Sequence, residues 1–66
     1  MNNILAAKVL MSHLTEITDG AYKTATKIAI ETLLQEAKMD YYAFKPGIQL
    51  RDYLELTNEQ YERWVR

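Results

Sequence analysis

Three features predict an all-α fold. The run from Ala21 to Tyr42 holds no Gly or Pro and repeats apolar residues at helical spacing. Ile4 to Ile17 does the same over a shorter length. Near the other end, Thr57 followed three residues later by Gln60 has the form of a capping box, a local instruction to start a helix. The expected architecture is an antiparallel helical hairpin, about 4–17 and 21–42, closed by two short helices, about 48–56 and 58–65. Residues 1–66 are read as a single small helical domain.

In the first helix, Asn2 or Asn3 can act as N-cap, its side-chain oxygen accepting from the free amides of the first turn. Ile4, Ala7, Leu10, Met11, Leu14 and Ile17 share a face, whereas Lys8, Ser12, Thr15 and Glu16 lie away from it. Leu5 and Val9 fall one turn apart on the otherwise polar side. They are either scattered exposed apolar groups, which are common, or groups touching the C-terminal segment, or a second contact surface for a partner. Thr18-Asp19-Gly20 then reverses the chain, with Asp19 placed to cap the central helix.

On a wheel of 3.6 residues per turn, Ala21, Ala25, Ile28, Ala29, Thr32, Leu33 and Met39 fall on one broad side of the central helix. Ile30 and Leu34 widen that apolar sector beyond the roughly 100° stripe of an ordinary surface helix. One neighbour cannot cover so wide a sector. The helix is therefore expected to lie between two neighbours, or between one neighbour and a second subunit. Glu36 points into the apolar side, between Thr32, Ala29 and Met39. It is either a buried or interface carboxylate awaiting a partner's Lys or Arg, or a Glu whose stem packs while its head reaches water. The second is the more ordinary, since charged residues are rarely buried unless paired.

Beyond the central helix, Lys45-Pro46-Gly47 is the strongest turn signal, and Phe44 with one of Tyr41 and Tyr42 is expected to fold back over the hairpin. Leu50, Tyr53 and Leu54 repeat at helical spacing, as do Tyr61, Trp64 and Val65. Leu56 before the Thr57 cap and Tyr61 after it complete a hydrophobic staple around the corner.

Composition excludes several function classes. A chain of 66 residues buries only about 60% of its unfolded surface, and without Cys it has no disulfide to compensate. Small domains in this position often gain stability from a partner or from self-association. The formal net charge is −1 and no basic stripe emerges, which argues against phosphate binding. No run approaches the roughly 20 apolar residues that span a bilayer, and the start lacks a signal peptide's pattern, so the expected compartment is the cytoplasm. His13 and Glu16 could share a helix face, but no third or fourth ligand stands at a matching spacing, so no metal and no cofactor are expected. With no Gly-rich phosphate loop and no nucleophile context around a Ser, an enzyme is not expected either.

The segment Leu50 to Arg66 carries two resemblances. A short helix, a tight turn and a helix bearing Tyr, Arg and Trp is similar in outline to a DNA-reading helix-turn-helix. It departs from such units at Arg51, where a small residue is usual, and at Glu55, where they favour Gly in the turn. That resemblance implies a small DNA-binding transcriptional regulator reading through Arg51, Asn58, Gln60, Arg63 and Arg66, against which Glu59 and Glu62 would repel phosphates. The pattern Leu50-Arg51-Asp52-Tyr53-Leu54, Leu56-Thr57, Glu59-Gln60-Tyr61 and Trp64-Val65 also resembles the C-terminal ends of small uncharacterised proteins of Gram-positive bacteria and their phages. It covers about the last quarter of the chain and implies a phage or mobile-element accessory protein, inhibitor- or antitoxin-like, without implying a chemistry.

Together these features point to a protein–protein interaction module that binds and modulates a host or partner protein, associates with itself as a homodimer, or both. The expected partner-binding residues are Leu5, Val9, Ile30, Leu34, Tyr61, Arg63 and Trp64, with Glu36 as the candidate for a buried or interface carboxylate. Nucleic acid, membrane and small-molecule substrates are not expected partners.

Overall fold

The fold is all-helical, as seen in a computed structural model that describes residues 2–65. Four helices follow in order: α1 (Asn3–Leu14), α2 (Gly20–Phe44), α3 (Leu50–Tyr53) and α4 (Asn58–Trp64). Helices α1 and α2 form the expected pair, and the two short helices follow at the C-terminal side.

Three of the four helix starts are encoded locally, the exception being α3, whose N-cap Gln49 makes no side-chain capping bond. Asn2 caps α1, its side-chain oxygen accepting from the amides of Ile4 (2.8 Å) and Leu5 (3.3 Å). Asp19 caps α2 by accepting from the Tyr22 amide at 2.9 Å. At α4 the capping box is complete: the Gln60 amide donates to Thr57 Oγ1, and the Thr57 amide donates to Gln60 Oε1, both at 3.1 Å.

Helix ends differ more from expectation. Helix α1 stops at Leu14 rather than near Ile17, its last turn closing through a Glu16 amide that donates to His13. Helix α2 runs two residues past Tyr42 and ends on Lys45, which takes the left-handed conformation (φ 48°) and donates its amide to Tyr41. Helix α3 is a single turn rather than a helix over 48–56. Its end is a Schellman arrangement, in which the Glu55 amide donates to Asp52 (3.1 Å) and the Leu56 amide to Arg51 (3.2 Å), with Glu55 left-handed at φ 57°. Glu55 is the turn position at which a helix-turn-helix favours Gly.

The core is formed by Ala7, Met11 and Leu14 of α1, Ile30, Leu34 and Ala37 of α2, and Leu54 and Leu56 of the corner. Ile30, Leu34 and Leu54 are its largest fully enclosed side chains. Ile4, Leu10, Ile17, Leu33, Tyr53, Tyr61, Trp64 and Val65 pack around it half-buried. Leu56 and Tyr61, the two ends of the expected staple, therefore meet in one cluster. Thr26 is the buried polar residue of α2, and its hydroxyl donates to the Tyr22 carbonyl at 2.9 Å, so enclosing it leaves no donor unmet.

The face of α2 that enters the core is not the one the wheel suggested. Thr26, Ile30, Leu34 and Ala37 point inward, with Leu33 and Tyr41 half-buried beside them. Ala21, Ala25, Ile28, Thr32 and Met39, expected as the centre of the buried sector, are exposed. The reason is volume. The inner side offers Ile30, Leu33, Leu34 and Tyr41 close together, whereas the outer side offers Ile28, Met39 and Tyr42 spaced among Ala, Thr and Gln, so docking α1 on the inner side removes more apolar area from water.

Phe44 is also corrected: it does not fold back but stands 75% exposed, because the α2 helix continues through it to the Lys45 cap. Tyr41 takes the covering role. Its ring lies 5.3 Å from that of Tyr53, and its hydroxyl donates to the Ile48 carbonyl across the Pro46-Gly47 turn.

Candidate interaction surface

The surface of interest begins with what α1, α3 and α4 leave uncovered. All of them gather on the inner side of α2, so its outer side stays open from end to end. Along it run Ala21, Ala25, Ile28, Thr32, Gln35, Met39 and Tyr42, all exposed. Ile28 is 59% exposed, Met39 62% and Tyr42 60%. Ala29, half-buried, edges the row on one side, while Glu31 and Lys38 edge it on the other. Thr32 donates its hydroxyl to the Ile28 carbonyl at 2.9 Å, so its one donor is already used and its methyl adds to the apolar row.

A second open patch lies on α1. Leu5 and Val9 sit one turn apart, 61% and 48% exposed, on the side opposite Ala7, Met11 and Leu14. Neither belongs to the core or to the half-buried residues packed around it. Together the two helices present several large apolar side chains to solvent on a chain of 66 residues. Single exposed apolar residues are ordinary, but rows of them at helical spacing mark contact surfaces.

The structure divides the residues expected to bind a partner. Leu5, Val9 and Arg63 are exposed, Tyr61 and Trp64 are half-buried, and Ile30 and Leu34 are enclosed in the core at 0% and 2% exposure. Ile30 and Leu34 cannot reach a partner without unfolding α2, which corrects their assignment. Arg63 and Trp64 come together, the guanidinium lying 5.8 Å from the centre of the indole. They border a shallow groove of about 340 Å³ whose walls include Met11, Leu14, Lys23 and Thr57. Glu36 is exposed rather than buried, and its carboxylate accepts from Asn3 Nδ2 at 3.1 Å, tying the start of α1 to α2.

The exposed apolar residues that the wheel places on the buried side instead are Ile28 and Met39. The signal that could have found them is the spacing itself. Ala21, Ala25, Ile28, Thr32, Gln35, Met39 and Tyr42 alternate steps of four and three, the repeat of a helix that packs lengthwise against another.

Of the residues that would read DNA, Arg51 is already engaged, donating to Asn58 Oδ1 and forming an ion pair with Asp52 at 3.4 Å. Asn58, Glu59 and Arg63 of α4 are exposed, Gln60 serves the capping box, and Arg66 lies outside the described residues. Helix α4 has seven residues, about 10 Å of length, and the acidic Glu59 and Glu62 stand on it beside Arg63. Among the described residues no cluster of His, Cys, Asp and Glu could hold a metal ion, and no helix is long and apolar enough to cross a membrane. The chain matches no protein-family model, no curated protein and no solved structure.

Proposed function

We propose that this chain is a small helical protein–protein interaction module that docks through uncovered helix faces and modulates what it binds. The observation that carries the reading is the outer side of α2, where Ile28 and Met39 stand more than half exposed within a row of small and apolar residues interrupted by Gln35. Burying such a row on a partner gains hydrophobic free energy that the chain leaves unused by itself. Leu5 and Val9 extend the available contact on α1. Polar and charged neighbours, among them Glu31, Glu36 and Lys38, give the rim that sets which partner fits. The resemblance of the C-terminal quarter to proteins of Gram-positive bacteria and their phages supports a role as a mobile-element accessory protein, acting on a host protein in the manner of an inhibitor or antitoxin.

The test is a pull-down from the native host with the wild-type chain and with Leu5→Glu/Val9→Glu and Ile28→Glu/Met39→Glu as baits. A single stoichiometric partner retained by wild type, and lost by at least one folded variant, is the expected result. No partner in the pull-down, together with no self-association in solution, overturns the reading.

A further inference from the structure

The outer row of α2 has a register. With Ala25, Thr32 and Met39 at one core position of a seven-residue repeat, Ala21, Ile28, Gln35 and Tyr42 take the other. Ile30, Ala37 and Phe44 then fall opposite the seam, where two of them face the protein's own core, so the seam and the internal packing do not compete for the same residues. We infer that the occupant of this face is the α2 helix of a second copy of the chain, lying antiparallel and centred between Thr32 and Gln35. This deepens the interaction reading and rests on it.

The direction follows from size and charge. Antiparallel pairing sets each residue of one core position against the other core position of the partner. The layers are then Ala25 against Tyr42 of the partner subunit, Ile28 against Met39 of the partner subunit, and Thr32 against Gln35 of the partner subunit, each repeated by symmetry. A small residue meets a large one, two flexible apolar side chains meet, and the polar pair falls at the centre. There the Thr32 hydroxyl, already donating within its own helix, can accept from the Gln35 amide group. A single polar layer fixes register and orientation at some cost in affinity.

Flanking charges agree. In the antiparallel pair Glu31 lies beside Lys38 of the partner subunit, and Lys38 beside Glu31 of the partner subunit, two attractive contacts per dimer. Glu36 then lies beside Ala29 of the partner subunit. In a parallel pair Glu31 would instead face Glu36 of the partner subunit, twice, with Met39 opposite its own copy. Within one chain Glu31 and Lys38 are seven residues and about 10 Å apart along the helix, too far to pair with each other.

Sedimentation of the purified chain, diluted from roughly 1 mM to roughly 1 µM, covers the range in which a marginal interface of this kind dissociates. A monomer–dimer equilibrium is expected. Glu31→Lys alone and Lys38→Glu alone each weaken it by about tenfold, since each turns two attractions into two repulsions. The charge-swapped double variant, and an equimolar mixture of the two single variants, restore it. The sequence has no Cys, so Ile28→Cys and Met39→Cys provide an independent readout. The mixture forms a disulfide-linked dimer under mild oxidation, whereas Ile28→Cys alone does not, its two copies lying about 16 Å apart along the seam. A monomer at every concentration, or no rescue by charge swapping, overturns the inference. Efficient cross-linking of Ile28→Cys with itself overturns the direction. If the chain is monomeric yet retains a host partner through Ile28 and Met39, the self-pairing fails while the interaction reading stands.

Discussion

Ile28 and Ile30 stand two residues apart on α2 and occupy opposite environments, one 59% exposed and the other fully enclosed. The same side-chain type thus meets two environments on one helix, and the contrast separates what holds the fold from what faces solvent. Ile30→Ala removes three carbons from the enclosed core and should cost about 2–4 kcal/mol of stability. Ile28→Ala, measured under dilute conditions, should change stability by no more than about 0.5 kcal/mol. Urea unfolding of both variants checks the pair; similar losses would mean that α2 presents a different face to α1.

The corner between α3 and α4 rests on the reciprocal bonds of Thr57 and Gln60. Thr57→Ala deletes the acceptor for the Gln60 amide and should cost about 1 kcal/mol. Thermal melts give the answer directly, and an unchanged midpoint would count against the cap.

Glu55 holds a left-handed conformation that a residue with a Cβ adopts at a cost of roughly 1–2 kcal/mol, while glycine adopts it freely. Glu55→Gly should therefore stabilise the chain by up to about 1 kcal/mol, after allowing for the greater freedom glycine gives the unfolded state. Glu55→Val, branched at Cβ, should lose stability. The denaturation midpoint should move in opposite directions in the two variants at constant slope.

Arg51 spends its guanidinium on Asn58 and Asp52, and α4 carries acidic residues beside Arg63. Titration with duplex DNA at low and at moderate salt should accordingly show no binding near micromolar concentration. Steeply salt-dependent binding would restore the helix-turn-helix reading.

Much of the fold was legible because it is written locally. Asn2, Asp19 and the Thr57–Gln60 box each act within four residues of themselves, so the sequence shows them without reference to the rest of the chain. The face of α2 was not legible in the same way. Apolar residues occur on both of its sides, and a wheel weights Ala25 and Ala29 as it does Ile30 and Leu34. Only the position of α1 decides which side is enclosed, and side-chain volume decides the position of α1. For the same reason the exposed apolar surface was half read: Leu5 and Val9 stand out against a polar side of α1, whereas Ile28 and Met39 look like core until the core is found elsewhere. Phe44 misled because its type suggested burial, while the Lys45 cap that carries α2 past it depends on a left-handed residue the sequence does not advertise.

Asn3, the first residue of α1, reaches Glu36, so α2 from about residue 40 onward extends past the end of its neighbour. Tyr41, its ring tilted against that of Tyr53 and its hydroxyl bonded to Ile48, ties that projecting end to the rest. Amide hydrogens of α2 should therefore exchange with solvent deuterium most slowly between Thr26 and Ala37, where its buried residues lie, and faster towards both ends. The far end of the rod, beyond the reach of α1, is thus held to the folded body through one tyrosine, so a single side chain sets how that end is seated.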